Sequence, residues 1–253
     1  MELLFFLFGL AAGSFVSCFV YRINKENNLK GFLKGRSYCP KCKKQLLWFD
    51  NIPLLSFLLL KGKCRFCHSP IGWNYPLVEL ATGLLSLIIY RFAITNQISN
   101  FQFPISNLIY NLLIAYALVA IFISDLQYRT IPDQITYPAM FVTFIWLIIY
   151  GQWSMILAGL VAAGFFFLLV LLTRFKGMGL GDVKLAGLMG LFLGFPGIIT
   201  ALYLAFLTGA TVGVILILIG KKKLKSEIPF GPFLVLATFI TWFLGEKIWH
   251  LFV

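Results

Sequence analysis

Long apolar runs follow one another down this chain and leave it few ways to fold. They fall at about 2–21, 75–91, 107–124, 135–150, 154–173, 183–194, 197–219 and 232–250. About 20 consecutive apolar residues are what a helix needs to cross the hydrocarbon core of a bilayer. In lipid each backbone N–H and C=O must be satisfied within the protein, so such spans are helical. Composition agrees: 60% of the residues are apolar and only 12% charged, about half the charge of a soluble domain. The pattern predicts an all-α polytopic membrane protein with about eight transmembrane helices. The run at 183–194 is short, which predicts a tilted, re-entrant or protein-buried helix, and Gly187, Gly190 and Gly194 along it allow close helix packing. The first run lacks a basic leader region and continues in apolar chain after Gly13-Ser14, so it reads as a retained span.

Eight spans put both termini on one side of the membrane. All but Arg91 and Lys247 of the 21 Lys and Arg then lie in segments on the other side. The positive-inside rule makes that side the cytoplasm and both termini external. The net charge of +12 is therefore a matter of topology, and nucleic acid is not an expected partner. Lys221, Lys222, Lys223 and Lys225 read as a topology anchor.

The polar segment 23–74 opens with Asn24, Lys25, Glu26, Asn27 and Asn28, a stretch expected to be flexible. It is too small to bury a substantial core alone. Two CxxC pairs, Cys39/Cys42 and Cys64/Cys67, stand 21 residues apart in it. That spacing fits a structural four-thiolate zinc site, closed to substrate. A reducing cytoplasm disfavours two disulfides, and a redox role for one CxxC is the weaker alternative. Lys41, Lys43, Lys44, Lys63 and Arg65 would offset the thiolate charge. His68 reads as a loop histidine, because four sulfurs fill the shell. Cys18, inside the first run, reads as a small buried apolar residue.

The chain holds nine acidic residues, so those at membrane boundaries are functional-site candidates. Asp125 ends the third run. Asp182 opens the sixth, behind Gly177, Gly179 and Gly181, glycines expected to permit positive φ and close approach. Two carboxylates converging at low dielectric would share a proton, one acting as base toward water and the other as acid. The alternative is structural pairing, Asp125 with Arg129 or Asp182 with Lys184. Asp133 follows Pro132 and reads locally as a helix N-cap. Glu79 lies near the start of the second run, beside the helix-starting Pro76. It would either offset the helix dipole or bind a cationic or hydroxylated ligand.

Taken together, these residues resemble the type IV prepilin peptidase family, the GxGD-type leader peptidase/N-methyltransferases. The resemblance spans nearly the whole chain. It runs through Gly13-Ser14-Phe15 with Tyr21-Arg22, the cysteine tetrad, Asp50-Asn51-Ile52-Pro53, Tyr75-Pro76-Leu77-Val78-Glu79, Asp125, Pro132-Asp133, Gly179-x-Gly181-Asp182 with Lys184, and Pro229-Phe230-Gly231-Pro232-Phe233. It implies a multi-pass enzyme of the bacterial inner membrane that cleaves the basic leader of type IV prepilins and pseudopilins at the cytoplasmic face. The mature N-terminus is then methylated with S-adenosylmethionine. Its rivals are a peptidase without methylation and an ion-coupled transporter. The resemblance assigns catalysis to Asp125 and Asp182, with Gly179, Gly181, Lys184 and Asp133 in support. It implies Zn2+ on Cys39, Cys42, Cys64 and Cys67. Glu79 and Asp50 are the candidate cofactor contacts. The family pattern divides the chain into a first helix at 1–22, a zinc loop at 23–74, a second helix and outer loop at 75–106, and a six-helix peptidase core at 107–253. The two regions before the core form the methylating part. Ser17 and Asn74 depart from the pattern, where many members carry Asn and Arg.

Overall fold

A computed structural model describes residues 1–25, 37–95, 105–174, 178–220 and 229–249. Glu26, Asn27, Asn28, Lys176, Gly177, Lys221, Lys222, Lys223 and Lys225 lie outside the described residues. The described chain is helical: α1 (Glu2–Lys25), a short α2 (Leu55–Leu59), α3 (Asn74–Thr95), α4 (Ile105–Tyr128), α5 (Asp133–Ile149), α6 (Trp153–Leu172), α7 (Leu180–Leu193), α8 (Gly197–Leu218) and α9 (Gly231–Trp249). Each of the eight apolar runs has its own helix. Five of these helices, α1, α3, α4, α6 and α8, are long and apolar enough to cross a membrane. The chain parts into two compact units, Met1–Ala120 and Ile121–Val253, with the division inside α4.

In the first unit α1 packs on α3 through small residues. A Cβ on Gly9 would lie 2.8 Å from the Cα of Gly83, and one on Gly13 would lie 2.9 Å from the Cα of Glu79. Close backbone approach of this kind is how helices gain contact where lipid offers no hydrophobic drive. At the far end from the intervening loop, Arg91 donates to both oxygens of Glu2, at 3.1 and 2.8 Å.

The described part of the loop between α1 and α3 contains two matched turns. Cys39 N–H donates to Lys44 O and Cys64 N–H to Ser69 O, at 3.0 and 2.9 Å. Lys43 and His68 occupy the same left-handed position in the two turns, φ 56° and 52°. Isolated antiparallel bridges, Tyr38 with Gln45 and Lys63 with Pro70, close each turn.

The second unit is built around α7. Leu185, Ala186, Leu188 and Met189 are fully buried, which accounts for so short an apolar helix: its surroundings are protein. α6 lies directly on it. A Cβ on Gly190 would stand 2.6 Å from Ala158 O and 2.7 Å from the Cα of Gly159. Gly194 ends α7 at φ 65°, a conformation that suits glycine. The rings of Phe166, Phe206 and Phe230 cluster with centroids 5.2–6.4 Å apart, and so fix the segment that leads into α9.

Candidate active site and metal loop

Asp125 lies in the last turn of α4 and is buried. Its Oδ2 accepts the backbone N–H of Gly231 at 2.9 Å. That N–H belongs to the first residue of α9, one of the donors a helix leaves unpaired at its start. A helix N-terminus is also the favourable end for negative charge. The Phe166–Phe206–Phe230 cluster sets where this N–H points, because Phe230 precedes Gly231. There is no room for a side chain: a Cβ on Gly231 would lie 2.6 Å from Oδ2 of Asp125.

Asp182 sits in the first turn of α7, and its Oδ2 accepts Gly179 N–H at 3.2 Å. Gly181, beside Asp182, packs on Ile131 in the turn that follows α4, so the Asp182 carboxyl lies close enough to the end of α4 to be within range of the Asp125 charge. The fold therefore brings together two carboxylates that are far apart in sequence, each held by a backbone N–H at the start of a helix. Among the described residues neither forms an ion pair.

Two local expectations change. Asp133 does not cap its helix: Pro132 is the N-cap residue and Asp133 is the first residue of α5. Its carboxylate instead accepts Lys184 Nζ at 2.6 Å, and that ammonium also lies 4.9 Å from the centre of the Tyr137 ring. Lys184 thus ties α7 to α5 and does not pair with Asp182. The second change concerns the glycines. Gly179 has φ −88°, and Gly181 is not among the positive-φ residues. What Gly181 provides is space, since a Cβ there would lie 3.0 Å from the Cβ of Ile131. Close approach holds for Gly181, but the neighbour is the turn between α4 and α5.

The four cysteine sulfurs lie within 4.8 Å of one another, and Cys39 and Cys67 Sγ are 3.8 Å apart. Zinc–thiolate bonds of about 2.3 Å in a tetrahedron put sulfurs about 3.8 Å apart, so the tetrad fits a metal ion. The Ser69 hydroxyl, 3.1 Å from Cys67 Sγ, brings that thiol down to about 6, which favours the thiolate a metal needs. His68 takes the turn position and is not part of the cluster.

Asp50 braces the same loop internally, and Glu79 ties it to α3. Asp50 is buried, and its Oδ1 accepts Arg65 Nε and Nη2 at 3.0 and 2.8 Å while Oδ2 accepts Leu47 N–H at 3.3 Å. The Arg65 guanidinium also stacks over Phe49, 4.8 Å from the ring centre. Both Asp50 oxygens are thus engaged within the protein. Glu79 is buried one turn beyond the start of α3, too far in to serve the first-turn dipole role. Its Oε2 accepts Leu54 N–H at 2.8 Å. Cys18 is half-buried rather than fully packed away, with its sulfur 3.9 Å from the Ser37 hydroxyl.

The position that sequence reasoning missed is Gly231. Its only signal was membership of the Pro-Phe-Gly-Pro-Phe stretch, and nothing local connects that stretch to Asp125.

Residues 7–92 match the Bacterial Peptidase A24 N-terminal domain, and residues 112–214 match the Type IV leader peptidase family. The chain is 34% identical to the prepilin leader peptidase/N-methyltransferase of Aeromonas hydrophila, over 98% of this chain and 93% of that protein. It is 32% identical to the protein of the same name from Legionella pneumophila, over 99% and 94%, and 32% identical to that from Pseudomonas aeruginosa, over 96% and 90%. No solved structure matches it. An aspartate pair in the second unit, with Asp125 buried and Asp182 partly exposed, and a four-cysteine loop in the first thus occur in a chain similar to these enzymes along nearly its full length: it belongs to the type IV leader peptidase family.

Proposed function

We propose that the protein is a bifunctional prepilin-processing enzyme of the bacterial cytoplasmic membrane. It removes the basic leader of type IV prepilins and pseudopilins and then N-methylates the new N-terminal residue. The carrying observation is the pair Asp125 and Asp182, drawn together in the second unit and each aligned by a helix-start N–H. The peptidase core is 107–253. The methylating region is the first helix, the loop 23–74 and the segment 75–106. Eight spans, with the loop and the aspartates on the cytoplasmic side, remain the topology that the charge distribution supports.

In the cleavage step the ionised member of the pair takes a proton from water while the protonated member hydrogen-bonds the scissile carbonyl oxygen. The water oxygen bonds to the carbonyl carbon, and the π electrons move onto the oxygen, which takes the acid's proton. On collapse that oxygen returns its proton to the aspartate that gave it as the C=O bond re-forms and the C–N bond breaks, and the leaving amine receives the proton held by the base. No bond to the enzyme forms. Gly231 and Gly179 N–H hold the carboxylates, Gly181 lets the α4–α5 turn close on α7, and Lys184 with Asp133 braces α7 on α5.

Cys39, Cys42, Cys64 and Cys67 hold Zn2+, which when bound crosslinks the two matched turns. For the second activity S-adenosylmethionine supplies the methyl group. The test is co-expression with a prepilin and mass spectrometry of the mature N-terminus. Wild-type protein should yield a cleaved, methylated product. Asp125→Asn and Asp182→Asn should each leave the precursor uncut, and full processing by either variant would sink the dyad. Cleavage without methylation by the wild type would reduce the function to a peptidase.

A further inference from the structure

A cavity of about 270 Å³ opens in the first unit between α1, the start of α3 and the metal loop. Ser14, Tyr21 and Arg22 line it from α1, Tyr75 and Glu79 from α3, and Ser56 from α2. Two of the four metal-cluster cysteines, Cys39 and Cys64, stand in its wall. The size is near that of small-molecule sites, roughly 300 Å³ and upward, as is the mix of aromatic walls with a few convergent polar groups.

Glu79 is the unusual member. It is buried, and among the described residues no Lys or Arg forms an ion pair with it. The protein instead holds it in place at some cost. Leu54 adopts φ 58° and ψ −45°, and Leu55 N–H bonds Pro53 O at 2.6 Å, the strained classic γ-turn rare outside glycine. That turn aims Leu54 N–H at Glu79 Oε2. Gly13 brings α1 against the Cα of Glu79 itself. Backbone strain and tight packing thus converge on a carboxylate with no ion-pair partner among the described residues.

We propose that this cavity is the methyl-transfer site, taking an adenosyl-sulfonium methyl donor with Glu79 as the anionic contact for its positive charge. The proposal rests on the bifunctional reading above. Aromatic side chains from Tyr21 and Tyr75 suit a purine and a cation, and the serines suit a ribose. Asp50, with both oxygens engaged by Arg65 and Leu47, positions the wall and does not touch the ligand. In the transfer the incoming N-terminus reacts as the free amine, its proton already released to water. The freed nitrogen lone pair then forms the N–C bond as the donor's S–C bond breaks, its electron pair staying on sulfur. One positive charge remains, on the methylated nitrogen.

The test is calorimetric binding of S-adenosylmethionine and of its product S-adenosylhomocysteine to zinc-loaded full-length protein in nanodiscs. Glu79→Gln should weaken the sulfonium donor at least tenfold and the uncharged thioether much less. Ser56→Trp, which fills the cavity from α2, should weaken both. Bound metal per chain checks that each variant is folded. Unchanged binding of both ligands to Ser56→Trp would overturn the placement while leaving the bifunctional reading intact. Equal weakening of both ligands by Glu79→Gln would overturn its role as the charge contact. Failure of the wild type to bind either ligand would instead bring down the methylation reading and this site with it.

Discussion

Single atoms decide much of the site. Gly181 has ordinary backbone angles, and its missing side chain leaves space that Ile131 occupies. Gly181→Val should therefore lower prepilin cleavage by about tenfold or more through misplacement of the first turn of α7. The reason can be separated from substrate access by a second change. If crowding against Ile131 is the cause, adding Ile131→Ala should restore much of the lost rate, a coupling that a double-mutant cycle reads directly. Additive losses would mean that the glycine serves an approaching substrate backbone. Lys184 shows the opposite scale of effect. Its partner Asp133 has a side chain 54% exposed, and an ion pair so open to solvent is worth at most about 1 kcal/mol. Its value lies in the orientation of α7 on α5.

At the scale of elements, the start of α9 matters more than its length. Phe166 of α6 and Phe206 of α8 hold Phe230, and Gly231 then presents its N–H to Asp125. A Gly231→Val change keeps both aspartates and every other hydrogen-bond partner, but its side chain would occupy the space of Oδ2. Cleavage should fall by about 100-fold, on the scale of removing one preorganised backbone donor, with bound metal unchanged. Mass spectrometry of co-expressed prepilin reads this, and a variant that cleaves normally would remove α9 from the account of the site. α6 and α7 show the same reliance on small residues, with Gly159 and Gly190 back to back.

For the whole molecule, the two compact units separate two sets of candidate residues. The cysteine tetrad, Asp50 and Glu79 belong to the first, and Asp125, Asp133, Asp182 and Gly231 to the second. Metal removal should therefore act unequally. Chelation, or Cys39→Ser, should release about one zinc per chain and loosen the wall that carries Cys39 and Cys64. Methylation of a purified prepilin should be lost well before cleavage is. Parallel loss of both activities as zinc leaves would show that the loop supports the peptidase as directly as it supports methyl transfer.

Much of this was legible in the chain itself. Hydrophobic length alone marked eight helices within a few residues of their observed ends, because a helix in lipid has to satisfy its own backbone. Cysteine spacing marked the metal loop, because a CxxC turn presents two sulfurs to one ion whatever surrounds it. Scarcity of charge singled out Asp125, Asp182 and Glu79. Partners were another matter. Local chemistry gave Asp133 to a cap, Gly179 and Gly181 to positive φ and close approach, and left Glu79 between a helix dipole and a ligand. The folded chain gave Asp133 to Lys184, Gly181 to Ile131, and Glu79 to a γ-turn within the cysteine loop. These are contacts between segments far apart in sequence, and no local period or spacing encodes them. The same holds for the backbone amide at Asp125, which comes from Gly231, 106 residues away. A sequence states which groups are too costly to bury unpaired, and only tertiary packing decides what pairs them.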